Sequence, residues 1–304
     1  MNSSNQLNFE FAIRGKYLVQ ENVTVLINVH YKDNPIHFCE ALQSVLNQSK
    51  RPSKVLIVSD GELSQDLLKV IDSYIIRYGW FTFNQTKKKG TWSAKNCGFT
   101  LIDSPVVAYL DADDIMHPRR IELQTKFLTS QKLDICGTSM VEFSNNLKVM
   151  NHRKVQQDLV RRGDFYNSPL NNPTLMMTTE AFRTVGGYRN VYCQEDYDFA
   201  VRAVSKNLLI QNMDIPLTAF RINDSFYSRR GGVKFIKSEY QIYKSRRILN
   251  LFKPREFLIF AIRLVYRLAP SPLRLLFYKL TSNVTHLEYQ DLTGWEEVIN
   301  FSSQ

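Results

Sequence analysis

The chain's 304 residues, 44% hydrophobic and 22% charged, are an ordinary globular mixture long enough for a substantial core, which excludes wholesale disorder. A formal net charge of +10 favours an anionic partner (nucleic acid, acidic lipid or a phosphorylated substrate) without choosing among them. Cys39, Cys97, Cys136 and Cys193 lie far apart with no Cys-x-x-Cys pair, which argues against a zinc ribbon or disulfide scaffold and suits a reducing compartment.

Residues 1–21 read as an N-terminal extension that lacks the basic and apolar halves of a signal peptide. No run reaches the roughly 18 uninterrupted apolar residues of a spanning helix. The expectation is a cytoplasmic protein that can touch the inner face of the cytoplasmic membrane. The first strand is expected at 23–29 (VTVLINV), a short β-branched apolar run. Asn34-Pro35 then supplies an N-cap and an N1 proline for a helix carrying Phe38, Leu42, Val45 and Leu46. A second strand at 54–59 ends at Asp60-Gly61, and Leu67, Ile71, Tyr74 and Tyr78 mark the next helix. A short strand at 81–83, a helix at 91–101 and a strand at 106–110 follow. Pro118 opens a helix to about residue 130, and 134–141 reads as strand again.

Periodicity fades between 145 and 173, as expected of a binding loop. Order returns with a strand at 174–178, a helix at 180–185, the Gly186-Gly187 turn and a helix at 195–206. Extended segments are expected at 208–213 and 217–222. Strands alternating with helices predict one α/β domain, 22–232, whose mostly parallel sheet is covered by helices on both faces, followed by a helical extension at 233–304.

The sharpest chemical signal is Asp111-Ala112-Asp113-Asp114, directly after an apolar strand. Ligands of open α/β sheets bind at the carboxyl ends of strands. Asp111 and Asp113 are spaced to share one hard cation, Mn²⁺ or Mg²⁺, with a diphosphate. Helix capping is the competing use and suits Asp114. Glu195-Asp196 opens a helix, where the dipole keeps a carboxylate ionised with or without a function; the aspartate cluster shifts the balance towards a catalytic base. Asp60 can accept from a base N–H or a ribose hydroxyl, and taken alone reads as a turn-forming Asp-Gly. The five histidines give no metal spacing.

Together these residues resemble a family-2 glycosyltransferase of the GT-A (Rossmann-like) fold, similar to bacterial enzymes that build capsules, exopolysaccharide and lipopolysaccharide. Residues 23–31 resemble the family's first strand and nucleotide-contacting loop, and 44–48 (SVLNQ) the helix end that follows. Residues 55–61 are similar to the strand ending in Asp-Asp-Gly, with Ser59 in place of the first Asp. The run 94–98 (AKNCG) resembles an Ala-x-Asn-x-Gly helix, with Lys95 where Arg is common and the bidentate fork therefore lost. Residues 111–114 resemble the DxD motif, Asn172-Pro173 and Gly186-Gly187-Tyr188 the acceptor-side pattern, and 195–198 (EDYD) the ED motif.

The resemblance implies inverting transfer from a UDP-linked or similar nucleotide-sugar to a hydroxyl of a saccharide or lipid-linked saccharide. It assigns Val29, His30, Tyr31, Asp60, Lys95, Asn96, Asp111 and Ala112 to the donor, Asp113 backed by Asp111 to the metal, and Asp196 to the base with Glu195 as alternative. Lys95 and the Arg119-Arg120 pair either assist at phosphate or are ordinary helix surface.

In the extension, Phe257, Phe260, Ala261, Leu264 and Leu268 form a helical stripe opposite Glu256, Arg263 and Arg267. Two uses compete: residues 254–280 lie on an anionic leaflet as a peripheral membrane contact, or the stripe packs on the catalytic domain or a second subunit. A nucleotidyltransferase would need a Gly-rich loop after the first strand, and 28–35 contains no glycine. A silent binding scaffold would have lost Asp113 or Asp196; both are present. Nucleic acid is supported by charge alone, with no recognisable module, and is not expected.

Overall fold

The structure, a computed structural model, describes residues 20–143, 149–161, 165, 167–222, 231–269, 284–285 and 295. Nearly all of the expected N-terminal extension, and residues 270–280 of the expected membrane segment, lie outside these.

Strand β1 (Gln20–Val29) leads into α1 (Pro35–Leu46), whose N-cap Asn34 accepts the Ile36 N–H at 2.8 Å with Pro35 next to it in the first turn. β2 (Arg51–Asp60), α2 (Gln65–Arg77, capped by Ser64), β3 (Phe81–Thr86), α3 (Thr91–Thr100) and β4 (Val106–Asp111) continue the alternation. Next come β5 (Ile115–Met116), α4 (Arg120–Ser130), β6 (Ile135–Phe143), β7 (Val149–Arg153), a 3₁₀ turn at Asn172–Thr174 and β8 (Met176–Thr178). Helices α5 (Thr179–Val185) and α6 (Glu195–Ser205), strand β9 (Ile210–Arg221), helices α7 (Gly232–Ile248) and α8 (Arg255–Leu268), and β10 (Val284–Thr285) complete the order.

One sheet holds the strands in the order β10-β7-β6-β8-β4-β1-β2-β3, with β9 along the other edge of β6. The half built from β4, β1, β2 and β3 is parallel, as the alternation predicts. Beyond β4 it becomes mixed, because β8 runs antiparallel to both β4 and β6 while β6 and β9 are parallel. Side chains alternate across the sheet. Val25, Ile27 and Val29 pack under α1, α2 and α4; Leu26, Leu56 and Val58 pack under α3, α5 and α6. Helices thus cover both faces. Gly98 lets α3 lie close, since a Cβ there would stand 2.6 Å from Leu26 Cδ1.

Several elements differ from the pattern reading, among them β10, a strand paired with β7 inside the extension expected to be helical. β5 is two residues long and exists through its pairing with β9, Ile115 opposite Ala219. β7 lies inside the stretch expected to be irregular, where its ladder with β6 supplies the order. β9 is one strand where two segments were expected; its register against β6 slips between Met213 and Pro216, and proline has no N–H to give a ladder.

Candidate active site

The neighbouring strands β2, β1 and β4 end beside one another, bringing Asp60, His30 and Asp111 to one edge of the sheet. Tyr109 precedes Asp111 by two residues, so both side chains leave β4 on the α3 side. The Tyr109 hydroxyl donates to Asp111 Oδ1 at 2.8 Å. Asn28, opposite Asp111 in the β1–β4 ladder, has buried amide atoms with no hydrogen-bond partner.

Lys95 on α3 is only 1% exposed. Its ammonium stands 4.7 Å from the Tyr109 ring centroid and 5.1 Å from that of Tyr188, and pairs with Glu195 Oε1 at 3.1 Å. Burial alone would discharge it. Glu195, Tyr188, Asp111 and Asp196 together outweigh that and hold its pKa above the ordinary lysine value. One buried cation is therefore paired with Glu195 in the first turn of α6 and stands within electrostatic reach of Asp111 at the end of β4 and of Asp196. Burial pushes the Tyr109 and Tyr188 phenols up, keeping them neutral between these charges.

Tyr188 is set by the turn before it. Gly186 (φ +80°) and Gly187 (φ +72°) adopt left-handed backbone, and a Cβ on Gly187 would meet Asn96 Oδ1 at 2.8 Å. Asn96, expected at the donor, instead spends its amide here: Oδ1 accepts the Tyr188 N–H at 2.7 Å and Nδ2 donates to the Tyr188 carbonyl at 2.9 Å. Arg202, paired with Asp198 at 2.7 Å, donates to the carbonyls of Val185 and Gly187 and fixes α6 against the same turn. The first turn of α6 holds Glu195, Asp196 and Asp198 where the helix dipole favours carboxylates.

The aspartate cluster is held from behind by β9. Asp114, fully buried, accepts the Arg221 N–H at 2.9 Å, and Arg221 Nε donates to the Asp113 carbonyl at 2.9 Å. The Arg221 guanidinium pairs with Glu40 and lies 4.4 Å over Phe143. Asp114 is thus a cap, but for a strand end rather than the next helix. Burial pushes the Asp113 carboxyl up to about 7, with Asp111 and Asp33 adding and Arg221 opposing; Asp114 is raised too, by burial first and then by Asp113 and Asp111, again against Arg221.

Neither arginine of the expected phosphate pair reaches the site. Arg120 is fully buried, donating to the carbonyls of Tyr109 (2.8 Å) and Leu175 (3.3 Å) and to Gln124; burial pulls it down to about 10. Arg119 is exposed and pairs with Glu122 at 3.2 Å.

At the other end of the row, Asp60 accepts the N–H groups of Lys89 (2.8 Å) and Gly90 (3.0 Å), so its carboxylate pins the loop that enters α3. Its neighbour Gly61 turns at φ +92°, and Ser59 Oγ donates to the Gly61 carbonyl at 2.9 Å, which is the Asp-Gly turn. His30 donates its N–H to Asp33 at 2.7 Å, and its ring lies 4.3 Å from that of Tyr31. Burial lowers the His30 pKa; Asp60 opposes and Lys88 adds to the fall. Lys88 stands 4.3 Å over the half-exposed Tyr31 ring. Val29 and Ala112 are buried and offer backbone alone.

Among the described residues, no group of three or more His, Cys, Asp or Glu side chains is arranged to hold a metal by itself. Residues that motif reading gave no individual role are Tyr109, Asn28, Arg221 and Glu40. Period-two spacing before Asp111 is a signal for Tyr109. Arg221 and Glu40, 181 positions apart, leave no local trace.

The chain matches the model described as Glycosyl transferase family 2 over residues 38–186, which takes in Asp60, Lys95 and the aspartate cluster. It is 29% identical over 264 residues to the UDP-Gal:alpha-D-GlcNAc-diphosphoundecaprenol beta-1,3-galactosyltransferase of Escherichia coli, covering 84% of this chain and 94% of that one. It is 26% identical over 259 residues to the amylovoran biosynthesis glycosyltransferase AmsE of Erwinia amylovora, covering 84% and 97%. In fold it is similar to S. aureus TarS 1-349, solved in complex with UDP-GlcNAc, with TM-score 0.63 and 15% identity over 92% of this chain and 80% of that one. The chain thus carries a glycosyltransferase family 2 domain, matched over residues 38–186, on a GT-A fold.

Proposed function

We propose that this enzyme takes a sugar from a nucleoside-diphosphate donor, UDP-linked by preference, and transfers it with inversion to a hydroxyl of a lipid-linked saccharide during assembly of a bacterial surface polysaccharide. The observation that supports the reading is the seat of Lys95, paired with Glu195 and within electrostatic reach of Asp111 and Asp196, although Asp111 and Glu195 lie 84 positions apart in sequence. The name of the Escherichia coli relative supports the lipid-linked acceptor, that of the Erwinia amylovora relative the polysaccharide setting, and the TarS complex the donor class.

Asp111 and Asp113 would hold Mn²⁺ or Mg²⁺, hard cations that take carboxylate and phosphate oxygens. The fit rests on the donor set. Asp33, Asp111 and Asp113 crowd negative charge that Arg221 offsets only in part. With no self-sufficient three-residue set, the remaining ligands would come from the diphosphate. When bound, the ion neutralises charge on the departing nucleotide. His30 and Tyr31 meet the base, while Asp60 and Asn96 shape the donor pocket from behind through the loops they pin. The unpartnered Asn28 amide hydrogen-bonds the donor beside Asp111. Glu195 pairs with Lys95; Asp196, next to it in the first turn of α6, takes the proton of the acceptor hydroxyl as the base. Attack from the side opposite the diphosphate inverts the anomeric centre.

A thermal-shift panel of nucleotide-sugars with and without Mn²⁺ tests this. Native protein is expected to gain stability with UDP-sugar and Mn²⁺ together, and Asp113→Ala to lose both that gain and turnover. Unchanged rates for Asp113→Ala with donor and Mn²⁺ reject the metal role.

A further inference from the structure

Helix α8 is turned inside out for a protein in water. Glu256, Arg263 and Arg267 point inward: Glu256 pairs with Arg246 of α7 at 2.7 Å, and both arginines reach Glu239 of α7, at 3.4 and 3.0 Å. Phe260 joins them, 4.7 Å from the Tyr243 ring. Phe257, Leu258, Ile262, Val265 and Leu268 point outward, each at least 60% exposed. Their spacing puts them on one side of the helix. Contiguous exposed apolar faces of this kind mark a surface that something covers.

The charges around the face say what. Between 231 and 269 the carboxylates are Glu239 and Glu256, both buried and both in ion pairs. Lys234, Lys237, Lys244, Arg247 and Arg255 are exposed, so the exposed charge of this helix pair is entirely positive. Tyr240, exposed on α7, stands 6.4 Å from Phe260 and carries the face from one helix to the next. No described helix is long and apolar enough to cross a membrane. A second copy meeting this face about a two-fold axis would set the same basic rim against itself, which like-charge repulsion disfavours.

We infer that the outer face of α8, with the basic rim of α7, docks on an anionic lipid surface, the apolar side chains entering the headgroup–acyl boundary and the lysines and arginines meeting lipid phosphate. Because α7 packs on α6, docking brings the Glu195-Asp196 helix to within one layer of the bilayer. That consequence deepens the lipid-linked acceptor reading; the docking itself does not depend on it.

Vesicle flotation of the full chain tests the inference, with circular dichroism and light scattering to establish folding and mass. The native chain is expected to float with phosphatidylglycerol vesicles and not with phosphatidylcholine vesicles, and to be released by salt. Leu258→Ser/Ile262→Ser/Val265→Ser, all at exposed positions, should partition about tenfold less or weaker still with its melting curve retained. Lys237→Glu/Lys244→Glu/Arg247→Glu should lose the preference for anionic lipid. No flotation of the native chain, equal flotation of the serine variant, or a native dimer that the serine variant turns into a monomer would each overturn it. None of these outcomes bears on whether Asp196 is the base.

Discussion

Lys95 is the residue on which the site's electrostatics turn. Two unit charges 4 Å apart at an effective dielectric of about 20 interact by roughly 4 kcal/mol, and Lys95 lies among Glu195, Asp111 and Asp196. A nearby cation favours the ionised carboxylate, and a general base must be ionised to act. In Lys95→Met the acid limb of the kcat/KM pH profile is expected to move to higher pH, with turnover at neutral pH falling by about tenfold or more. A purely structural role would lower the melting temperature and leave the limb where it was. Asn96 and Asp60 teach a different lesson at this scale. A motif reports that a polar side chain stands at a position, but not which partner it takes. Asn96 takes the Tyr188 backbone and Asp60 the Lys89 and Gly90 amides, so in the proposed site both act through the loops they hold.

Elements whose causes are local were legible in the sequence. The Asn34-Pro35 cap, the apolar runs of β1, β2 and β4, and the Gly186-Gly187 turn each depend on neighbours within a few residues. β5 and β7 were not, since a two-residue strand and a five-residue strand in a polar stretch exist through pairing with distant partners. The clamp of Arg221 on Asp113 and Asp114 is of the same kind, joining positions more than a hundred apart. The stripe of α8 was visible, but its direction was not. Helical periodicity separates two faces without saying which is inside, and the buried partner Glu239 decides that. The Arg246–Glu256 pair is the corresponding stability test. Arg246→Met keeps an apolar contact with Phe165 but leaves Glu256 buried without its cation, a loss of about 3–5 kcal/mol. Adding Glu256→Gln should recover most of it in urea unfolding; no recovery would show that the packing, not the charge, carries the pair.

At the scale of the whole molecule, the chain folds back on itself. Trp295 is 1% exposed, donates to the Pro216 carbonyl of β9 at 3.1 Å and meets the His117 ring edge-on at 5.2 Å. The expected choice between membrane contact and packing on the catalytic domain is thus not exclusive for the helical extension: α7 packs on α6, Trp295 enters beside β9, and α8 keeps an uncovered face. In the proposed function, the parallel half of the sheet presents the donor-side acids and α6 presents the others across Lys95. Donor titration and single-turnover kinetics of Asp196→Asn, with UDP-sugar and Mn²⁺, test that division most directly. Donor affinity should match the native enzyme, while turnover falls by about 10²–10⁴-fold, the usual contribution of a general base. Native turnover, or donor binding and turnover lost together, would contradict it.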